Sequence, residues 1–320
     1  MIRVSAGTAA VLGMASVKTD CPPTTAYLMA GEHCAHDCRF CAQARGSSAE
    51  AGRLSRVTWP EGEPDVVAAG IARAHAAGKL KRACFQVVHS PGYLAELERN
   101  VRDLRAISPV PICLSTAAAE ALDLEHLFAW GADRVSLPLD AASPGVYARV
   151  KGGCMERRLA VLREAAGLWP GRIGTHLIAG LGETEEELIR LAADLWSRGV
   201  TVALFAFTPL PGTPMAGCPA PALDSYRRVQ AALHLLRVSA DGPQQALAAM
   251  TFSDGRLTSL GPAAARAALA DGEAFRTSGC PDCNRPYYNE KPGAVPYNYP
   301  RPLAEQELSA CLELLAPVLT

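Results

Sequence analysis

The sequence predicts an α/β protein built from βα units, six of them clear and up to eight in all, whose parallel strands can close into a (βα) barrel. Short apolar runs alternate with longer amphipathic segments, an order typical of parallel sheets. The amphipathic segments repeat apolar residues at the helical spacing of about three to four positions. The residues that carry chemistry follow directly after strands, where barrel active sites lie.

Six apolar runs are clear strand candidates, and two later runs are weaker. The clear runs are TAYLMA (25–30), ACFQVVH (83–89), VPICLS (110–115), RVSLPLD (134–140), IGTHLIAG (173–180) and VALFAFTP (202–209). The weaker runs are LAAMTFS (247–253) and EAFRTS (273–278). An open doubly wound sheet is the alternative, but no glycine-rich phosphate-binding motif follows the first strand.

Amphipathic segments predict helices between these strands. They are residues 64–80, 93–107, 121–131, 156–169, 185–199 and 224–239, and a last one covers 303–319. Residues 1–24 form an N-terminal extension, residues 25–278 the barrel, and residues 279–320 a cysteine-containing C-terminal tail and helix. The tail is rich in Pro, Tyr and Asn, so we expect an ordered loop packed by its aromatic side chains.

Composition narrows the classes of partner. The 320 residues include 31 basic and 32 acidic ones, for a formal net charge of -1, and no long run of like charge occurs. Neither nucleic acid nor an anionic membrane surface is therefore an expected partner. The first residues lack a convincing signal peptide, and no apolar run reaches the roughly 18 residues that span a bilayer. We expect a cytoplasmic protein.

The eleven cysteines are many for a reducing compartment, where disulfides are rare. Clustered cysteines there indicate metal binding or catalysis. The clusters are Cys34/Cys38/Cys41 and Cys280/Cys283, while Cys21, Cys84, Cys113, Cys154, Cys218 and Cys311 are scattered. A scattered cysteine is by default a small buried apolar residue.

The motif Cys34-Ala-His-Asp-Cys38-Arg-Phe-Cys41 follows the first predicted strand. Three thiolates at this spacing can each bind one corner of a 4Fe–4S cluster, since thiolate sulfur suits iron–sulfur clusters. The fourth iron is then open for a substrate or cofactor. A zinc site with His33, His36 or a distant cysteine as the fourth ligand is the competing interpretation, although both histidines are expected to lie outside the ligand set.

At these residues the chain resembles the radical S-adenosylmethionine (radical SAM) superfamily, in which an aromatic residue such as Phe40 commonly precedes the third cysteine. The resemblance covers about residues 25–260 and includes SLPLDAASPGVYARV, HLIAGLGETEEEL and LFAFTPLPGTPM, segments similar to the biotin synthase-like branch. It implies a 4Fe–4S cluster on Cys34, Cys38 and Cys41, with S-adenosylmethionine on its open iron. It also implies Asp140, Ile178 and Leu210 as contacts of the nucleoside.

Some of these residues have simpler explanations, and one segment departs from the family pattern. Thr184 with Glu187 forms a helix capping box, and Gly180 and Gly182 suit a tight turn. The family's glycine-rich element after the second strand, which binds the methionyl amino group, reads QVVHSPGY here. Gln86, His89 and Ser90 are the residues that could replace it.

The resemblance to biotin synthase also bears on a second, auxiliary iron–sulfur cluster. Two of its cysteine ligands match Cys84 and Cys113, and its arginine ligand matches Arg256. The third cysteine falls at Gly174, which cannot bind iron. The resemblance therefore argues against biotin synthase itself.

The tail resembles the two-subunit lipoyl synthases through GCPDCNRPYYNE and YNYPRPL. That resemblance implies an auxiliary iron–sulfur cluster held by Cys280, Cys283 and Cys21. A structural zinc site or a redox pair is the alternative for the CxxC motif.

Together these resemblances imply one component of a two-subunit lipoyl synthase, which inserts sulfur at C6 or C8 of an octanoyl chain on a lipoyl carrier domain. A second radical SAM subunit and an electron donor protein would be its partners. The alternative enzyme is a biotin synthase-like mutase, methyltransferase or maturase that donates no sulfur. A zinc-binding interaction module is the non-enzymatic alternative. The sequence assigns no catalytic residue.

Overall fold

A computed structural model describes residues 1–50, 52–118, 120–261, 264–290 and 293–319. Its strands are β1 (Ile2–Val4), β2 (Thr25–Ala30), β3 (Arg53–Leu54), β4 (Val57–Thr58), β5 (Glu61–Gly62), β6 (Arg82–Val87), β7 (Ile112–Ser115), β8 (Arg134–Ser136), β9 (Ile173–Ala179), β10 (Thr201–Ala206), β11 (Thr251–Ser253) and β12 (Arg256–Ser259).

The helices lie mainly between the parallel strands. They are α1 (Ala6–Val11), α2 (Pro64–Ala76), α3 (Tyr93–Ile107), α4 (Glu125–Ala129), α5 (Pro144–Val150), α6 (Met155–Leu168), α7 (Glu185–Ser197), α8 (Leu223–Val238), α9 (Pro243–Ala248), α10 (Ala264–Ala268) and α11 (Glu305–Leu315). Short 3-10 turns cover Leu122–Leu124, Glu273–Phe275 and Ala316–Val318. Among the described residues, no helix has both the length and the apolar character needed to cross a membrane.

One sheet organises the fold. Its order is β10-β9-β8-β7-β6-β2-β1-β5, and β2 and β6 to β10 pair in parallel throughout. These are the six clear strands, so the predicted parallel βα architecture is confirmed. Strand β1 pairs antiparallel with β2 and β5, which extends the sheet with residues that the sequence places in an N-terminal extension.

The two weaker strand candidates do not extend the parallel sheet. Residues 251–259 form the β11–β12 hairpin, a sheet of its own. Its turn residues Asp254 and Gly255 both have positive φ, 51° and 76°, as a tight hairpin turn requires. Residues 273–275 form a 3-10 turn because Phe275 is buried against the helices. The sheet is therefore an open barrel of six parallel strands rather than eight.

Apolar side chains form two separate clusters on the two faces of the sheet. The larger one holds alternate strand residues such as Leu28, Phe85 and Leu114 together with the apolar helix residues. The smaller one holds Tyr27 and Met29, the other alternate residues of β2. This second, inner face is where the cysteines gather.

The tail covers the free edge of β10, the last strand of the open barrel. The Leu204 N–H donates to Ser278 Oγ at 3.0 Å, and Arg285 donates to the Leu204 carbonyl at 3.4 Å. Asn289 donates to the Ala206 carbonyl at 2.8 Å. An exposed strand edge invites pairing with other chains, and here the tail satisfies it.

The same tail also reaches the opposite side of the barrel. Thr24 donates to the Asp282 carbonyl at 2.5 Å, and Lys81 forms an ion pair with the Asp282 carboxylate at 3.3 Å. The Arg285 N–H donates to the Tyr27 hydroxyl at 2.9 Å. Residues 278–289 therefore connect β10 with β2 and β6 across the inner face.

Candidate active site in an open barrel

Strand register arranges the inner-face side chains in layers. Tyr27 pairs with Cys84, Cys84 with Cys113, and Cys113 with Arg134 on four adjacent strands. Because side chains alternate along a strand, Gln86 lies on the same face as Cys84, two residues nearer the carboxyl end. The carboxyl ends of the strands open onto a cavity of about 810 Å³.

This cavity brings together the residues that the sequence predicts for the first cluster and its cofactor. It is lined by Cys34, Cys38, Phe40, Cys41, Asp140, Ile178 and Leu210. They come from the loop after β2, from the residues after β8, from β9 and from the loop after β10. Their roles as ligands and cofactor contacts remain predictions, but the fold places all of them around one space.

The cysteine loop is compact and holds two of its thiols in poor contact with water. The Cys41 N–H donates to the Cys38 carbonyl at 3.0 Å, which closes a tight turn. Burial raises the pKa of Cys38 to about 11 and that of Cys41 to about 12. Both thiols therefore stay protonated at neutral pH until a metal displaces the proton.

Asp140 lies at the cavity wall between two basic side chains. Lys151 Nζ lies 2.5 Å from one carboxylate oxygen, and His176 Nε2 lies 3.1 Å from the other. Burial alone would raise the pKa of Asp140, but the charges and hydrogen bonds of Lys151 and His176 lower it below its ordinary value. The Asp140 carboxylate is therefore ionised and accepts hydrogen bonds. Its backbone has a positive φ of 65°.

The turn after β9 accounts for Gly180, Gly182 and Ile178, three residues that the sequence points to. Gly180 and Gly182 have φ of 100° and 118°, so the predicted tight turn is confirmed. The Glu183 carboxylate accepts the N–H groups of Gly180 at 2.7 Å and Leu181 at 3.1 Å. This turn fixes the carboxyl end of β9, which carries Ile178 into the cavity.

Of the residues that could replace the glycine-rich element, Gln86 and His89 line the cavity. His89 Nε2 lies 2.9 Å from Thr116 Oγ1 and accepts the Ala117 N–H at 3.0 Å. Burial lowers the pKa of His89 to about 4, so its ring is neutral. Ser90 Oγ instead accepts the Glu32 N–H at 3.3 Å, beside the loop that carries Cys34.

A second group of thiols lies deeper on the inner face. Cys113 donates to Cys280 with 3.6 Å between the sulfur atoms, although 167 residues separate the two. The Cys283 sulfur lies 3.4 Å from the Tyr27 hydroxyl, and Cys84 lies within electrostatic range of Cys280 and Cys283. We call Cys84, Cys113, Cys280 and Cys283 the inner thiols.

Positive charge surrounds the inner thiols. Arg82 donates to the Cys113 sulfur at 3.2 Å and to the Pro281 carbonyl at 3.2 Å. The hydrogen bond from Cys113 and the charges of Arg134, Arg82 and Arg285 lower the pKa of Cys280.

Two further residues are sequence-based candidates for the auxiliary cluster. Cys21 lies 3.7 Å from the amide nitrogen of Asn284, the residue after Cys283, and 3.6 Å from the Pro300 carbonyl, so its place among the ligands stays a prediction. Arg256 lies on the exposed β11–β12 hairpin, 4.0 Å from Asp224. Arg82, Arg134 and Arg285 face the thiols instead.

Sequence reasoning missed three further residues of the cavity, Lys151, His176 and Tyr288. His176 lies two residues before Ile178 on β9, so strand alternation from Ile178 would have found it. Lys151 and Tyr288 carry no comparable signal. Tyr288 packs against the small apolar cluster that Cys34, Cys84 and Cys283 also contact, so it lies near both groups of thiols.

An open barrel with a thiol-lined cavity at the carboxyl ends of its strands has the architecture of a cofactor-dependent barrel enzyme. A sequence profile of the radical SAM superfamily matches residues 29–195. The chain belongs to the radical SAM superfamily. Membership implies a 4Fe–4S cluster and S-adenosylmethionine as cofactors.

Curated relatives place the chain in the biotin synthase-like branch. The biotin synthase of Cutibacterium acnes is 30% identical over 194 residues, 58% of this chain and 51% of the relative. The biotin synthase of Magnetococcus marinus is 28% identical over 173 residues, 52% of this chain and 50% of the relative. The chain thus spans about half the length of the curated relatives it matches.

Solved structures support the fold. HydG from Carboxydothermus hydrogenoformans, a maturase of the FeFe-hydrogenase, matches with a TM-score of 0.52 at 18% identity, over 65% of this chain and 50% of that chain. Another crystal structure of HydG matches with a TM-score of 0.52 at 14% identity, over 66% of this chain and 49% of that chain. Identities this low show a shared fold alone.

The donor set fits an iron–sulfur cluster at the cysteine loop. Cys34, Cys38 and Cys41 face one cavity, and soft thiolates are the ligands such clusters take. Among the described residues, no three His, Cys, Asp or Glu side chains are already placed to hold a single metal ion.

Proposed function

We propose that this radical SAM enzyme inserts sulfur at an unactivated carbon. One observation carries the proposal. The inner thiols Cys84 and Cys283 pack against the same small apolar cluster of the inner face as Cys34 and Tyr288, and Cys34 and Tyr288 also line the cavity. A substrate in this cavity would be within reach of a carbon radical on one side and of a sulfur source on the other.

The cofactors supply the hard chemistry when bound: an electron from the 4Fe–4S cluster cleaves S-adenosylmethionine to methionine and a 5′-deoxyadenosyl radical. The protein holds and orients the reactants. Asp140 offers an ionised carboxylate to the hydroxyls of a nucleoside, and the neutral ring of His89 borders the same space. Phe205, Phe207 and Leu210 give the cavity an apolar wall that excludes water from a radical intermediate.

We further propose an octanoyl chain on a lysine of a lipoyl carrier domain as the substrate, as in the two-subunit lipoyl synthases. The apolar wall suits an alkyl chain, and the tail motif GCPDCNRPYYNE supports the assignment. A second radical SAM subunit would complete the reaction, and an electron donor protein would reduce the cluster.

The test is an anaerobic assay of the reconstituted protein with an octanoylated carrier peptide, with and without the second subunit. We expect 5′-deoxyadenosine and a thiolated octanoyl peptide. Formation of 5′-deoxyadenosine with no thiolated product in any combination would remove the sulfur-insertion proposal. That result would favour a biotin synthase-like enzyme that donates no sulfur.

A further inference from the structure

We infer that Cys84, Cys113, Cys280 and Cys283 together hold the second iron–sulfur cluster, with two ligands from barrel strands and two from the tail. The inference deepens the proposed function and rests on it for the kind of group bound. It replaces the set of Cys280, Cys283 and Cys21 that the tail resemblance implies.

The two barrel cysteines lie side by side on neighbouring strands. Cys84 and Cys113 are directly paired residues of β6 and β7, and paired positions on neighbouring parallel strands point to the same face. Cys84 packs in the inner apolar cluster with Tyr27 and Cys283. Two thiols are therefore fixed on rigid strands at one level of the inner face.

The tail is held against the same level of the inner face as these two cysteines. The Cys280 sulfur reaches Cys113 at 3.6 Å, and the Cys283 sulfur reaches the Tyr27 hydroxyl at 3.4 Å. Arg82 holds the loop between the tail cysteines by donating to the Pro281 carbonyl at 3.2 Å. Strand residues thus bind the tail at the point where the four thiols meet.

The charge around the inner thiols also suits a cluster. A cluster held by four thiolates carries net negative charge, and burying it requires nearby positive groups. Arg82, Arg134 and Arg285 all act on Cys280. Arg285 is buried, and its Nε has no hydrogen-bond partner among the described residues. Four thiolates on iron would supply counter-charge to these guanidinium groups.

The experiment counts metal on the full-length chain after anaerobic reconstitution with iron and sulfide. The starting variant is Cys34→Ala/Cys38→Ala/Cys41→Ala, so that the remaining iron reports on the inner thiols alone. We expect at least about two irons and two sulfides per chain, because both common cluster types take four cysteines. Adding Cys84→Ala, Cys113→Ala, Cys280→Ala or Cys283→Ala should lower the iron content at least about twofold.

Cys21→Ala and Cys311→Ala are the matched controls, since Cys311 is a buried cysteine of α11 in the main core, and both should leave the iron unchanged. Cys113→Ser covers the case in which an alanine variant fails to fold. Its serine oxygen can take the place of the thiolate as a ligand, and we expect the electron paramagnetic resonance spectrum of the reduced cluster to change.

Iron that survives Cys84→Ala and Cys113→Ala but is lost with Cys21→Ala would overturn the inference, as would zinc in place of iron. Loss of thiolated product with the inner iron intact would instead reject the proposed function alone.

Discussion

At the scale of the residue, Asp140 has a structural role that its contacts show. Its carboxylate is buried between Lys151 at 2.5 Å and His176 at 3.1 Å. Breaking a buried ion pair leaves an uncompensated charge and typically costs about 3–5 kcal/mol. Lys151 also donates to the Pro138 carbonyl at 2.8 Å, so the contact joins the residue that ends α5 to the segment after β8.

We expect Asp140→Asn to weaken binding of S-adenosylmethionine to the reconstituted protein by about tenfold or more, as hydrogen bonds to a charged group contribute about 1.5–3 kcal/mol. Equilibrium dialysis measures this affinity. Asp103→Asn, on the exposed face of α3, is the control and should bind normally. Equal affinities for the two variants would show that Asp140 does not contact the cofactor.

Arg285 is the residue we expect to tune the inner cluster. Its guanidinium lies 3.7 Å from the centre of the Phe205 ring and donates to the Ser278 carbonyl at 2.8 Å. Nearby positive charge stabilises the reduced, more negative state of a cluster. Arg285→Met should therefore shift the midpoint potential of the inner cluster to more negative values in a redox titration. Arg102→Met, an exposed residue of α3, should leave it unchanged, and an equal shift in both variants would contradict this role.

At the scale of the element, the capping box of α7 is a feature that the sequence predicts and the structure confirms. Thr184 Oγ1 accepts the Glu187 N–H at 3.1 Å, and the Glu187 carboxylate accepts the Thr184 N–H at 2.8 Å. This start positions α7 against α8 directly after the turn that carries Gly180 and Gly182.

Thr184→Ala should lower the free energy of unfolding by about 1 kcal/mol, the usual cost of losing an N-cap side chain. Urea denaturation followed by circular dichroism measures it. Ser309→Ala, on the exposed face of α11, serves for comparison and should change stability by less than about 0.5 kcal/mol. No difference between the two would mean that the cap does not stabilise the folded state.

The tail is the element that completes the open edge of the barrel. Ser278→Ala removes the acceptor of the Leu204 N–H, which now lies 3.0 Å from Ser278 Oγ. An amide without its partner exchanges faster with solvent. Hydrogen exchange followed by mass spectrometry should show reduced protection of β10 but normal protection of β6. Unchanged exchange at β10 would indicate that the tail does not protect this edge.

Elements could be predicted where the local pattern decides the structure. TAYLMA coincides with β2, and residues 93–107 coincide with α3. These predictions succeed because the apolar pattern of each segment suits only one type of secondary structure. EAFRTS fails for a tertiary reason: Phe275 packs among the helices, and Arg276 forms an isolated β-bridge with Tyr299 of the tail rather than joining the parallel sheet. The hairpin at Asp254 and Gly255 shows the same limit, since an apolar run does not specify which strand it pairs with.

At the scale of the whole molecule, the sequence predicts the first cavity but not the inner thiols. Cys34, Cys38 and Cys41 are close in sequence, so local spacing is sufficient to find them. Cys113 and Cys280 meet only because a tail 167 residues later crosses the inner face.

Distant contacts fix that path. Arg227 of α8 donates to the Tyr297 carbonyl at 2.5 Å, and Gln230 donates to the same carbonyl at 2.8 Å. Tyr226 donates to Asn298 at 3.2 Å. These polar contacts between α8 and the tail are non-local, and no periodicity in the sequence encodes them.

Tracing the transferred sulfur tests the central claim most directly. The protein is reconstituted with iron and heavy-isotope sulfide, freed of excess sulfide, and given octanoylated peptide, S-adenosylmethionine, a reductant and the second subunit for a single turnover. We expect the thiolated product to carry the heavy isotope, and Cys113→Ala/Cys280→Ala to form 5′-deoxyadenosine without that product. An unlabelled thiolated product, or labelled product from the double variant, would contradict sulfur donation from the inner thiol site.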